Sequence, residues 1–567
     1  MKFDKETIFV LTVCMLLMLA WPSISQYMGW AEIEEETPAA EVQQNPPPAA
    51  VQANNTPAVQ SANAASVQKT EVAVVPAKLT AFDCNLVKMG IAADGAVRSI
   101  SFNDYKNSDL KSDVTIDADG LPGLFALAIP GFTQKSDFSI VRNSDRELTV
   151  SYVAASAQGK VKVIQTFSNS GNYIVNCRYT LCNLSKSNVS LNGILVSGAP
   201  VSPWHTLSGD KIRAKSHRMD IYKADGSFED IDADDDQEDF LLNPPPQVLW
   251  AASGNKYFCS ILKSNMPFTL FQERRFFDDN AGNEQPIIAA GARLGAVNLP
   301  ANGSSSFEFS AYTGPKIVDN LSAFVPNGEK VMHLAWGPLN YLARFLLWAL
   351  TLLHGLCGSY GWSIVILTLI VRSVFYPITA KGNESMKKMQ KVQPLFKELR
   401  EKYKDNPQLL NQKMSELYRK EGVNPFAGCF PILLQIPIFF ALYAMLDNAI
   451  DLRHVSFLWC KNLAAADTVL QIPLFIDFPM IGKYLPLNPL VLAMTALMVI
   501  QQRMTPMSMD PAQKKMMAFM PVIMLVFLYD LPSGLTLYWT VSNLFSIIQL
   551  WLQKRRSQPP AAAAGAK

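Results

Sequence analysis

Residues 358–380 read Gly-Ser-Tyr-Gly-Trp-Ser-Ile-Val-Ile-Leu-Thr-Leu-Ile-Val-Arg-Ser-Val-Phe-Tyr-Pro-Ile-Thr-Ala, with one charge, Arg372, in the whole run. As a helix this stretch would measure about 35 Å, enough to cross the roughly 30 Å hydrocarbon core of a bilayer. Uncharged or nearly uncharged runs recur at 334–353, 424–446, 484–502, 516–529 and 531–553, so the last 230 or so residues read as membrane-embedded. Charge decides which runs span. Residues 381–424 carry 11 Lys or Arg, which places them in the cytoplasm by the positive-inside rule. A spanning 334–353 would put that basic loop outside. Asn340 and Arg344, four apart on one helical face, fit instead an interfacial helix over 331–355. Arg503 to Lys515 and Lys554-Arg555-Arg556 then also fall inside, giving a five-helix core over 356–556 and a cytoplasmic tail at 557–567.

Upstream the composition changes twice. Residues 1–31 hold no charge from Thr7 onward, with Lys2 and Lys5 in front, and read as a transmembrane anchor. Ser23-Ile24-Ser25 also passes for a signal-peptide cleavage site, and either reading exports the chain beyond it. Residues 32–78 are rich in Pro, Ala, Gln and Asn with almost no aromatics, the composition of a disordered tether. From 79 to 325, runs such as Glu147-Leu148-Thr149-Val150-Ser151-Tyr152-Val153 alternate with period two between Gly, Asn, Asp and Ser, which predicts an antiparallel β-sandwich. With six spans in all, both termini lie in the cytoplasm and the β domain in the periplasm.

Arg372 requires an explanation. Nine residues from Lys381 on one helix, it would lie about 13 Å from the cytoplasmic end, at a cost of several kcal/mol without a partner. No Asp or Glu falls inside the other spans; Asp447 and Asp530 lie at their outer ends. Polar residues do fall at similar depth: Thr368 one turn away, Gln435 on the third span, Gln501 and Gln502 on the fourth. Trp539, Ser542, Ser546 and Gln549 form a stripe on the last span, with Thr540 and Asn543 beside it. They describe either a hydrated cavity in the inner half of the bilayer or interhelical hydrogen-bond contacts. The run 516–529 gives only about 21 Å of helix, which implies local thinning or snorkelling by Lys514 and Lys515.

Within 381–424, Met386, Met389, Val392, Phe396, Leu399 and Tyr403 recur every three or four residues, and Leu410, Met414, Leu417 and Tyr418 come after them. Pro394 should kink the first run, and Asn406-Pro407 is a helix start, so a basic two-helix hairpin is predicted. Its Met residues either offer an adaptable surface or pack one helix on the other.

Gly361-Trp362-Ser363 with Thr368, Arg372 and Tyr376-Pro377, then Val423-Asn424-Pro425, Gly428-Cys429-Phe430-Pro431 and Gln435-Ile436-Pro437-Ile438-Phe439, resemble the YidC family of membrane protein insertases. Phe519-Met520-Pro521, Pro532-Ser533-Gly534-Leu535, Tyr538 and Ser542-Asn543-Leu544 continue the match across about 355–553. The anchor, tether and large β domain resemble the Gram-negative bacterial form. The resemblance implies a polytopic α-helical inner-membrane protein with a periplasmic all-β supersandwich domain, acting as insertase and chaperone. It implies a positively charged groove, open to cytoplasm and lipid, that receives nascent membrane proteins, alone or with the Sec translocon. It carries the groove charge onto Arg372 and substrate contacts onto Thr368, Gln435, Tyr538 and Trp539, to which the polar stripe adds Ser542. Where members often have two Tyr, this chain has Tyr538-Trp539. A ribosome contact through cytoplasmic loops and tail is also implied, weak here because the tail is short and Ala-rich.

Composition agrees with a non-enzymatic role. The 50 Lys plus Arg balance 48 Asp plus Glu, which argues against nucleic-acid recognition. Neither a GxxxxGK[ST] loop nor an HExxH motif is present, and no catalytic residue, cofactor or metal is expected. Two rivals are a small-anion transporter using Arg372, disfavoured by the lack of internal repeats, and a mutarotase-like enzyme in the β domain. For the second, Cys84, Cys177, Cys182 and Cys259 show no reactive pattern. The acidic run 232–239 lacks the Gly of an EF-hand and reads as a solvated loop.

Overall fold

The computed structural model describes residues 79–557, apart from 85, 108–109, 119, 202–217, 233–246, 279–283, 336, 404–405, 423–429, 479–481 and 506–510. The expected anchor (1–31), tether (32–78) and tail beyond 557 lie outside the described residues, as do most of the acidic run and the Val423 to Cys429 part of the motif series.

Residues 80–315 form strands wherever alternation is strong. In Glu147–Ser156, Leu148, Val150, Tyr152 and Ala154 point inward and the residues between them outward, as a half-buried strand requires. Its neighbour Gly159–Gly171 pairs antiparallel and turns Val161, Val163 and Phe167 to the same core. Four consecutive strands, Thr80–Cys84 to Asp113–Asp117, make a small meander, and twelve others make a large sheet. The two sheets share one core: Phe102 of the meander stacks on Phe258 of the large sheet at 5.0 Å between ring centres. Among the described residues, no helix interrupts the strands.

Helix α1 (Val318–Phe324) and a 3-10 turn at Gly328–Met332 come next, both tied back to the sheet. Lys263 Nζ donates to the Phe324 carbonyl at 2.7 Å, Trp250 Nε1 to Pro326 O at 3.0 Å, and His333 meets the buried Asp220 carboxylate at 2.7 Å. Helix α2 (Pro338–Cys357) then runs for 20 residues. It packs Ala343, Leu346, Leu347 and Leu350 inward and exposes Tyr341, Phe345, Trp348, Leu352 and Leu356 on the other side. By length and composition it is one of two described helices apolar enough to cross a membrane, although the charge pattern points to the interface.

The remaining helices are α3 (Tyr360–Val374), α4 (Tyr376–Lys402), α5 (Pro407–Lys420), α6 (Phe430–Asn448), α7 (Pro489–Met504), α8 (Pro511–Phe527) and α9 (Ser533–Ser557). Three differ from expectation. The run 358–380 is not one rod: α3 and α4 meet at Phe375 with a 58° bend, where Pro377 in the first turn of α4 lacks an N–H. Arg372 is therefore two residues from the end of α3, and its distance to Lys381 along the α3 axis falls to about 8 Å. Second, 484–502 does not begin as helix. A β-hairpin, Leu470–Phe478 with Gly482–Leu487, precedes α7, because Pro486 and Pro489 stop helix from extending upstream. Third, Pro394 lies inside an unbroken α4.

The basic two-helix hairpin of α4 and α5 forms as its periodicity requires. Asn406 Oδ1 caps α5 by accepting Leu409 N–H at 3.1 Å. Val392 and Phe396 are buried against Met414, Leu417 and Tyr418, with Met389 beside them, so Met389 and Met414 pack the two helices together. At the opposite end the β domain rests on the helical core. Lys256 Nζ pairs with Asp447 Oδ1 at 2.7 Å, and Arg453 Nη1 donates to Lys106 O at 2.8 Å.

Candidate functional site

Three helices bring the expected residues into one polar seam. Arg372, half-buried in the last turn of α3, donates from Nε to Ser542 Oγ of α9 at 2.5 Å. One turn earlier on α9, Tyr538 Oη accepts Gln435 Nε2 of α6 at 2.7 Å. Trp539 lies against Phe439, which is one turn from Gln435, at 4.9 Å between ring centres. Arg372, Gln435, Tyr538, Trp539 and Ser542 are thus assembled from α3, α6 and α9, across up to 170 residues of chain.

Thr368 is placed differently. It is fully buried one turn from Arg372, and its hydroxyl donates to the Ile364 carbonyl of its own helix at 2.6 Å. Its polarity is spent on its own helix.

The seam continues along α9 toward α4. Ser546 bonds the Ser542 carbonyl at 3.0 Å, and Gln549 Nε2 donates to Thr379 Oγ1 of α4 at 3.2 Å. Sequence reasoning does not pick out Thr379 or Phe439 as site residues. Each is within its reach: Phe439 is one turn from Gln435, and Thr379 is the polar residue just past the α3–α4 bend.

Arg372 remains uncompensated among the described residues. None of the ion pairs among the described residues includes it, and the hydrogen-bond partner it has there, Ser542, is a neutral hydroxyl. Such a hydroxyl orients a guanidinium but cannot cancel its charge. No cluster of metal-ligating residues occurs among the described residues. In the β domain, burial pushes the Cys259 thiol up to about 12 and the Cys177 thiol further still, so neither is a thiolate at neutral pH.

Comparison with known proteins places the chain. The family model described as 60Kd inner membrane protein matches residues 352–560, and that of the YidC periplasmic domain matches 83–349. A membrane protein insertase YidC from Herminiimonas arsenicoxydans is 30% identical over 502 residues, covering 84% of each chain. The chain belongs to the YidC family. A second YidC insertase, from Geobacter sulfurreducens, is 32% identical over 78% of this chain and 79% of its own length. YidC relatives are inner-membrane insertases with a periplasmic domain, not a class of enzymes. A solved structure of an active YidC insertase with its first transmembrane domain is 20% identical, covering 85% of this chain and 95% of that one, with a TM-score of 0.34. A putative aldose 1-epimerase from Escherichia coli K12 matches only 41% of this chain, at 10% identity and a TM-score of 0.27.

Proposed function

We propose that this chain inserts and folds newly made inner-membrane proteins, as insertase and chaperone, alone or with the Sec translocon. Its site is a hydrated, positively charged groove bounded by α3, α6 and α9 and open to cytoplasm and lipid. The observation that carries this is Arg372 held by a neutral hydroxyl within a seam of neutral polar groups. A buried cation paired with an internal carboxylate would have little left to offer a client. Arg372 keeps its field for an acidic residue on the segment being translocated. Gln435, Tyr538, Trp539 and Ser542 line the path with donors, acceptors and an amphipathic ring, while Thr368 fixes α3 under the charge. The client's own apolar helix then partitions into lipid beside the groove, which supplies the driving force. No bond is made or broken, and no cofactor is required.

The same proposal gives the parts their places. Both termini and the α4–α5 hairpin lie in the cytoplasm, where the hairpin and tail touch the ribosome weakly and transiently. Helix α2 lies in the outer interface with its aromatic stripe on membrane lipids. The two packed sheets form a supersandwich in the periplasm.

A photo-crosslinking experiment tests the groove. With a benzophenone amino acid at Trp539, a client arrested during insertion should be labelled on its translocated tail. With the probe at Leu544, exposed on the opposite side of α9, lipid should be labelled instead. Equal client labelling at both positions, or none at 539, would sink the groove.

A further inference from the structure

Helix α7 is too short to cross the bilayer unaided. From Pro489 to Arg503, its first charge, it rises about 21 Å, some 9 Å less than the hydrocarbon core, and any tilt widens the gap. The chain entering it from outside is the hairpin strand Gly482–Leu487, which rises about 10 Å from Tyr484 to Leu487. With Arg503 at the inner boundary, the base of the hairpin falls inside the outer leaflet.

Its surface suits that depth. Val469, Leu470, Ile472 and Tyr484 are all exposed, as are Leu458 and Trp459 on the neighbouring turn. Between 468 and 488 only Asp477 and Lys483 are charged. A hairpin standing in water would not leave this set bare, and Trp and Tyr favour the headgroup boundary.

The backbone is adapted as well. A two-stranded hairpin normally presents unpaired N–H and C=O groups along both edges, which hydrocarbon does not tolerate. Here Pro473 and Pro486 have no N–H to leave unpaired. The Pro486 carbonyl accepts the Tyr529 hydroxyl, and the Leu487 carbonyl accepts Val469 N–H at 3.0 Å. Asn488 closes the base, accepting from Thr468 Oγ1 at 2.7 Å and donating to the Tyr529 carbonyl at 2.8 Å.

We propose that the paired strands Leu470–Phe478 and Gly482–Leu487, together with the turn at Leu458-Trp459, are a lipid-binding element. Its base is immersed at the acyl–headgroup boundary of the outer leaflet, and its ligand is phospholipid. Through Tyr529 and Asn488 it fixes the outer ends of α7 and α8, two apolar helices of 16 and 17 residues, at one depth. This rests on the membrane location of the family, not on the groove.

The test uses the full chain in vesicles of phosphatidylethanolamine and phosphatidylglycerol bearing tagged acyl chains, with benzophenone placed singly at Leu470, Ile472 or Tyr484. Leu492, exposed on α7, is the lipid-facing comparator, and Val141, exposed on the β domain, is the aqueous one. Lipid adducts at the hairpin positions should match those at Leu492 and be lost at Val141. Hairpin positions as silent as Val141 would overturn the proposal, as would labelling of an arrested client with no lipid adduct. Insertion is scored on the same vesicles. Failed insertion with intact lipid adducts would count against the groove and leave the hairpin standing.

Discussion

At the scale of the residue, Arg372 stood out in the sequence because a lone charge in an apolar run has few cheap explanations, whereas Tyr538 came only from the family resemblance. Their partners were not legible, since Arg372 to Ser542 and Gln435 to Tyr538 close over more than a hundred residues and depend on helix packing. Thr368 shows the limit in the other direction: helical spacing put it beside Arg372, but a Thr hydroxyl can satisfy itself on its own helix. Removing the Tyr538 hydroxyl with Tyr538→Phe should cost about 1 kcal/mol by leaving the Gln435 amide short of an acceptor. A lowered melting temperature in detergent, with insertion reduced but present, is the expected result. Gly361 is a stricter position. A Cβ there would lie 2.0 Å from Cδ2 of the Phe457 ring, so Gly361→Ala should destabilise the α3 contact by about 1–3 kcal/mol. An unchanged melting temperature for that variant would show that the ring moves freely.

At the scale of the element, the α4–α5 hairpin was legible down to its cap, because periodicity and Asn-Pro chemistry are local. The α3–α4 bend was not: 358–380 carries no charge but Arg372, and hydropathy does not register where an axis turns. The outer hairpin was hidden for the same reason, its last residues being absorbed into the apolar run 484–502. Nothing in hydropathy announced the ion pair joining the β domain to α6 either. Asp447 sits in the last turn of α6, the unfavourable end of the helix dipole for an acid, and Lys256 offsets it. Burial alone would push the Lys256 amine down. Tyr257 and Asp447 together outweigh it and hold the amine above its ordinary value of 10.5. A pair raised in the folded state contributes fully below that value and fades as pH climbs past it. Asp447→Lys should therefore cost about 1–3 kcal/mol at neutral pH, and the Lys256→Asp/Asp447→Lys double variant should recover most of it. In the parent chain, denaturation midpoints should be flat through neutrality and fall only in strong alkali.

At the scale of the whole molecule, the order of β domain, helix α2 and helical core follows composition shifts along the chain, a long-range property that sequence records well. The meeting of α3, α6 and α9 at one polar seam is not recorded that way, since it depends on how three helices pack. Sidedness is checked by cysteine labelling in a background with the native cysteines replaced: Val141→Cys should react with an impermeant maleimide from the periplasmic side and Lys397→Cys only from the cytoplasmic side. Reaction of both from one side would break the topology. The central claim is that the uncompensated charge of Arg372 draws acidic segments into the groove. The most direct measurement is protease protection of the acidic translocated tail of a small membrane protein, in vesicles carrying the parent chain, Arg372→Ala or Arg372→Lys, repeated with the tail's acids changed to amides. Loss of protection with Ala, retention with Lys, and indifference to Arg372 for the amide tail are expected; full protection of the acidic tail by Arg372→Ala would contradict the claim.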